Sequence, residues 1–134
     1  MRQSSTTTLL TIDVFADVVC PWCWIGEQRL AKALAERPDL AVERRWRPFQ
    51  LQPETPRGGR PWADIVREKF GGEVRAKEIS PQVARVAALE GIDFRFHRIT
   101  RAVNTADAHR LILLARRHER EWEVAEALFR AHFT

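Results

Sequence analysis

Cys20 and Cys23 are the only two cysteines in a chain of 134 residues, and they stand inside the run VVCPWCWIG at positions 18–26. Such a pair can pack quietly as small apolar side chains, ligate a metal, or cycle between dithiol and disulfide. The third use is geometrically open. Residues three apart on a helical turn have β-carbons about 5–6 Å apart, and a disulfide needs α-carbons within about 4.4–6.8 Å. A helix amino terminus also offers unpaired N–H groups and the positive end of the dipole to a thiolate. With Cys20 as N-cap, Pro21 falls at the first helical position, where its missing donor costs little and its fixed φ suits the helix. Cys20 is then the attacking thiolate and Cys23, one turn inside, the resolving thiol. The dipole alone contributes about one pKa unit. A more acidic Cys20 needs hydrogen bonds from the Trp22 and Cys23 amides and from the Cys23 thiol, whereas an ionised Asp17 nearby pushes the other way. A zinc site would need two further ligands from His97, His109, His118 and His132, none of which share the short spacing of a zinc-binding histidine pair.

The elements that must position this turn follow from the flanking pattern. Residues 9–19, LLTIDVFADVV, are β-branched and aromatic with partial alternation, and predict a mostly buried strand. From Pro21 the periodicity turns helical, with Ile25, Leu30, Ala33 and Leu34 available to line one side and Arg37-Pro38-Asp39 to end it. Residues 40–51 predict a second strand, with Val42, Arg44 and Trp46 alternating against Glu43, Arg45 and Arg47. Strand, helix, strand is the signature of a parallel, right-handed βαβ unit. After the Pro/Gly-rich loop 52–60, helices are expected over 62–70 and 81–90, the latter started by Ser80-Pro81 and stopped by Gly91. An extended piece, 92–99, precedes a helix capped by Asn104 or Thr105 and running to about His118. Trp122, Ala125, Phe129, His132 and Phe133 then mark one face of a last helix. The organisation is one domain over 1–134, with a βαβ part at 9–51 and a helical part at 61–134.

Composition narrows the function. With 45% apolar and 30% charged residues the chain is of the globular class, and no apolar run approaches the roughly 18 residues of a membrane span. The amino terminus has no uninterrupted apolar stretch of signal-peptide length. A lone cysteine pair makes no secreted disulfide framework, so a cytosolic location is expected. The net charge of +4 is spread over the chain without a long basic run, which excludes the clustered basic face of a nucleic-acid binder.

The run FADVVCPWCWIG, the βαβ start, the segment NTADAHRL (104–111) and the later EALFRAHF (126–133) together resemble the DsbA-like thioredoxin-fold oxidoreductases, specifically their cytosolic FrnE-like branch. The resemblance covers residues 10–134. It implies an α/β fold with a thioredoxin-like βαβ start and an α-helical insertion. It also implies Cys20 as redox nucleophile, Cys23 as resolving thiol, Pro21 and Trp22 as the dipeptide that tunes the potential, and His109 on the insertion facing the site. Protein thiols and disulfides are the implied substrates, with glutathione as a small-thiol alternative, and no metal or organic cofactor is needed. A similar branch, the 2-hydroxychromene-2-carboxylate isomerases and kappa-class glutathione transferases, generally has serine where this chain has Cys20, which argues against that reading without excluding glutathione binding and leaves a glutathione-dependent isomerase or transferase relative as a further alternative. The family also places a cis-proline beside the cysteines in a second, ββα half. All seven prolines here lie at or before Pro81, so that half is expected to be missing, leaving a sheet edge open. A homodimer covering that edge, or a non-catalytic domain serving subunit or partner association, is the alternative expectation.

Overall fold

The computed structural model describes residues 9–69 and 73–134. Strand β1 (Leu10–Ala16) leads into helix α1 (Pro21–Ala35), which returns to strand β2 (Val42–Pro48). The two strands pair in parallel, with Leu10 opposite Val42 and Ala16 opposite Pro48, so this is the expected βαβ unit. Both strands are shorter than the pattern predicted. β1 stops at Ala16 because Asp17 to Val19 form the turn that delivers Cys20 to the helix, closed by a bond from Cys20 N–H to Asp17 O at 3.1 Å.

A second, two-residue antiparallel pair joins β3 (Arg60–Pro61) to β4 (Arg101–Ala102). The sequence pattern predicted a loop at Arg60 and no paired strand there. Gly59 makes the close approach feasible: its φ is 79°, and a β-carbon there would meet Ala102 O at 2.7 Å. Helices α2 (Trp62–Lys69), α3 (Glu73–Ala88), α4 (Ala106–Arg116) and α5 (Glu121–Phe133) complete the order, with a single 3-10 turn at Phe96–Arg98 inside the segment expected to be extended. The expectation of a helix start at Pro81 is corrected, since α3 begins at Glu73 and carries Pro81 in its interior. Proline there forfeits one helical hydrogen bond, and the bonds on either side carry the helix across. The expected helix end at Phe70 and the reading of the first eight residues lie outside the described residues.

One aromatic core serves both the βαβ part and the helices. Trp24 stacks parallel on Phe129 at 5.8 Å, and Trp46 meets the same ring edge-on at 5.9 Å. Phe133 packs on Trp24 and on Phe94, and Trp46, Ile112, Ala125 and Phe129 have no exposed surface. The core face of α1 is Trp24, Ile25 and the stem of Glu27, not Leu30 and Leu34, which are half-buried, nor Ala33, which is exposed. Glu27 is accommodated because Arg44 of β2 meets it at 2.9 Å while lying 4.5 Å over the Trp122 ring.

The two edges of the β1–β2 sheet differ. Leu10 N–H donates to Ala41 O at one end and Phe49 N–H to Ala16 O at the other, so β2 turns the backbone groups of its even-numbered residues outward. Side chains of the last two helices occupy them: Trp122 Nε1 donates to Arg44 O, Trp46 N–H to Glu121 Oε2, and Arg116 to Trp46 O. Among the described residues no strand lies against the other edge of β1, where Leu10 and Phe15 are exposed. Among the same residues no helix is long and apolar enough to cross a membrane.

Truncating Phe129 to alanine removes the ring that joins α5 to both Trp24 and Trp46. A loss of about 3–5 kcal/mol is expected, read as a lowered denaturant midpoint together with a collapse of the near-ultraviolet tryptophan dichroism. A change below about 1 kcal/mol would mean that the helices and the βαβ unit do not share this core.

Candidate active site at the start of helix α1

Cys20 is the N-cap of α1, in extended backbone with φ −98° and ψ 111°, and Pro21 follows at the first helical position. Proline fits because the N–H it lacks would have no intrahelical acceptor there. The first turn closes through Cys23 N–H and Trp24 N–H to Cys20 O, at 3.1 and 3.4 Å. Both cysteines are free thiols of intermediate exposure. Trp22, half exposed at 50%, flanks them on the outside of the turn, while Trp24 goes into the core on the other side.

The two thiols are made unequal by their surroundings. The Cys23 thiol donates to Cys20 sulfur, and this bond outweighs partial burial; with the Cys23 and Trp22 amides it draws Cys20 down from 9.0 to about 7, against the nearby negative charge of Asp17. Cys23 is pushed up by the same bond, because ionising it would remove the donor, and by burial. The two thiols are thereby set apart, Cys20 drawn toward the thiolate near neutral pH while Cys23 holds its proton.

Asp17 sits directly beneath this turn with only 1% of its surface exposed. Burial raises its pKa, but hydrogen bonds from His109, the Leu51 amide and the Thr105 hydroxyl prevail and hold the carboxyl below its ordinary value. Leu51 N–H reaches Asp17 Oδ2 at 2.9 Å. His109, buried on α4, faces the other oxygen, Oδ1, with Nε2 at 3.2 Å. The same Nε2 lies 3.1 Å from Phe49 O, so its single N–H is shared and Oδ1 takes no fully aligned bond. On its far side His109 Nδ1 lies 3.1 Å from Trp46 Nε1. An indole nitrogen can only donate, so Nδ1 is the acceptor and the ring proton is on Nε2.

Of the residues singled out in the sequence, Cys20, Pro21, Trp22 and Cys23 share this one turn, and His109 approaches it through Asp17. His97 and His118 are exposed and stand apart. Sequence reasoning passed over Thr105, read only as a cap, and Trp46, read only as a core strand residue. His132 was read as part of the apolar face of α5 and not as a neighbour of this cluster; burial lowers the pKa of its ring and the charge of Asp17 works the other way. An acid inside the apolar run before Cys20 was the available signal for this polar cluster. Asn104 supplies the cap of α4 instead, its Oδ1 accepting Ala106 N–H at 2.9 Å.

The sequence from residue 11 to residue 134 matches the model of the DSBA-like thioredoxin domain. The chain is 30% identical over 95 residues to the uncharacterized protein YwbO of Bacillus subtilis, covering 62% of this chain and 46% of that protein. Its fold superposes with a TM-score of 0.81, at 31% identity, on the crystal structure of a probable DsbA oxidoreductase from Streptomyces coelicolor, over 92% of this chain and 54% of the other. The chain therefore spans about half the length of these two relatives.

Titration of the reduced protein by thiolate absorbance is expected to show one group near 7, absent in Cys20→Ser and shifted upward in Cys23→Ala, which lacks the donor thiol. The pair also sets a pH dependence of stability. Between about 7 and 9.0 the folded chain binds fewer protons at Cys20 than the unfolded chain, so reduced-state stability rises with pH and is lost as the pH falls through 7. Above 9.0 Cys23 reverses the slope, because only the unfolded chain releases its proton there. Denaturant midpoints under reducing conditions check this, and a Cys20→Ser variant that kept the rising limb would contradict it.

Proposed function

The chain belongs to the family of DSBA-like thioredoxin domains, and on that premise we propose that it is a thiol–disulfide oxidoreductase module exchanging a Cys20–Cys23 disulfide with protein or small-thiol partners. The observation that carries the reading is the placement of the pair at the helix start, Cys20 as the N-cap and Cys23 one turn inside with its N–H on Cys20 O at 3.1 Å, in surroundings that draw Cys20 down and push Cys23 up. In the reduced state the Cys20 thiolate attacks one sulfur of a substrate disulfide. The substrate S–S bond breaks, and the departing thiolate takes up a proton. Cys23 then gives up its proton and attacks Cys20 sulfur, releasing the second substrate thiolate and leaving the Cys20–Cys23 disulfide. Two electrons pass from the dithiol to the substrate, and the reverse sequence oxidises a substrate dithiol. Pro21 sets the backbone of the turn, and Trp22 offers an apolar surface beside the sulfur. The segments FADVVCPWCWIG, NTADAHRL and EALFRAHF favour the FrnE-like branch and, with it, a cytosolic setting and glutathione among the small thiols.

A second reading is favoured by the unequal sheet edges. With β2 sealed by Arg116, Glu121 and Trp122 and with Leu10 and Phe15 exposed along β1, a second copy of the chain can add to β1 through its unpaired backbone groups. Association is then the role of the domain, with exchange secondary to it.

In a disulfide-exchange assay Cys20→Ser abolishes turnover, and Cys23→Ser accumulates a mixed disulfide visible by mass; equal activity of both variants and the parent would sink the first reading. Sedimentation velocity over a concentration series separates the second, which requires a dimer that Phe15→Glu dissolves. A parent that stays monomeric throughout removes it.

A further inference from the structure

Between the helical part and the cysteine turn runs a buried chain of polar contacts, from Trp46 of β2 through His109 of α4 to Asp17, that the exchange chemistry above does not use. We infer that His109 is a positioning residue for the cysteine pair, acting through the Asp17 carboxylate that it faces. The inference rests on reading Cys20 and Cys23 as the redox pair and adds a group that bears on their electrostatic setting.

The geometry constrains how His109 can act. Trp46 Nε1–H occupies Nδ1, so a neutral ring has no choice of tautomer: Nε2–H must point toward Phe49 O and Asp17 Oδ1, at 3.1 and 3.2 Å. The ring cannot turn over to offer Nδ1–H without leaving the indole donor buried and unpaired, since Trp46 has no exposed surface. His109 is therefore held with its Nε2–H edge 3.2 Å from Asp17 Oδ1 while the N–H itself bonds Phe49 O. Asp17 in turn lies under the cysteine turn, with its own backbone O accepting Cys20 N–H at 3.1 Å. A carboxylate this deeply buried acts on the sulfurs with little screening, and its negative charge opposes the Cys20 thiolate. The polarised N–H edge of the ring, 3.2 Å from Oδ1 though bonded to Phe49 O, counters part of that charge. His109 so placed favours the thiolate without touching it.

The groups that face Asp17 come from every element packed around it. Cys20 caps α1 and Cys23 lies in its first turn, the Leu51 amide follows β2, Thr105 and His109 stand at the start of α4, and His132 lies on α5. Only His109 among them both faces Oδ1 at 3.2 Å and is itself fixed from behind by a buried donor.

Three substitutions separate this role from simple packing. In His109→Asn the side-chain oxygen can still accept from Trp46, but no donor reaches Asp17. In His109→Gln the amide nitrogen reaches the place of Nε2. Asp17→Asn removes the charge in nearly the same shape. The readout is the Cys20 thiolate midpoint, taken on folded protein as judged by tryptophan dichroism. His109→Asn is expected to raise the midpoint by about half a unit, His109→Gln to leave it near the parent, and Asp17→Asn to lower it. In the Asp17→Asn background, His109→Asn should then have no further effect. A shift from His109→Asn that persists without the Asp17 charge, or no shift in its presence, overturns the inference. Should His109→Asn not fold, two measurements remain decisive. The Asp17→Asn midpoint must fall, and the imidazole 15N spectrum of the unaltered protein must show the proton on Nε2. A midpoint that holds or rises, or a proton on Nδ1, overturns it equally. The titration does not depend on turnover, so a parent that fails to exchange disulfides yet shows this coupling faults the reading of function and not the coupling.

Discussion

A single carboxylate placed out of water organises this domain. Asp17 ends the run from β1 to the cysteine turn, and at 1% exposure it is costly to bury in charged form unless donors converge on it. Those donors come from elsewhere in the chain: the Leu51 amide just beyond β2, and Thr105 and His109 at the start of α4. Satisfying one side chain thus requires the end of the first strand, the exit of the second and the fourth helix to meet at one place. That place lies under the amino terminus of α1.

The site is consequently a balance of opposed fields. The helix start, the amides of Trp22 and Cys23 and the Cys23 thiol stabilise the Cys20 thiolate, while Asp17 works against it. The outcome is a thiol drawn down to about 7, a value at which thiolate is plentiful near neutral pH while intrinsic nucleophilicity is still considerable. A turn with no buried acid would give a more acidic sulfur and a weaker attacking group. The aromatic core keeps this balance in register, because Trp24 follows Cys23 directly and is clamped by Phe94, Phe129 and Phe133.

The helical part is more than a cover. It seals the outer edge of β2 with three side chains, supplies two donors to Asp17, and shares the Trp24–Phe129–Trp46 contact with the βαβ unit. It leaves β1 unpaired on its other side among the described residues. Among the described residues the domain therefore has a closed flank along β2 and none over the outer edge of β1, the strand that leads into the cysteine turn.

The local features of the site were legible in the residues. Cysteines three apart, a proline at the first helical position and strand patterns on either side dictate a strand-to-helix turn that carries both thiols, because spacing, capping and periodicity are properties of neighbours in the chain. The apolar face of α5 was legible for the same reason. Pro81 misled, since a proline signals a helix start only where its missing hydrogen bond would be unmade anyway, and in α3 the surrounding turns carry the helix across. The face of α1 was misjudged because periodicity alone does not say which side of a helix meets the sheet, and Arg44 made a buried Glu27 tolerable. His109, Thr105 and Trp46 lie far from Asp17 in sequence. Only the folded chain decides that they meet it, because desolvation and the direction of an N–H depend on what surrounds a group in space and leave no mark on the order of the residues.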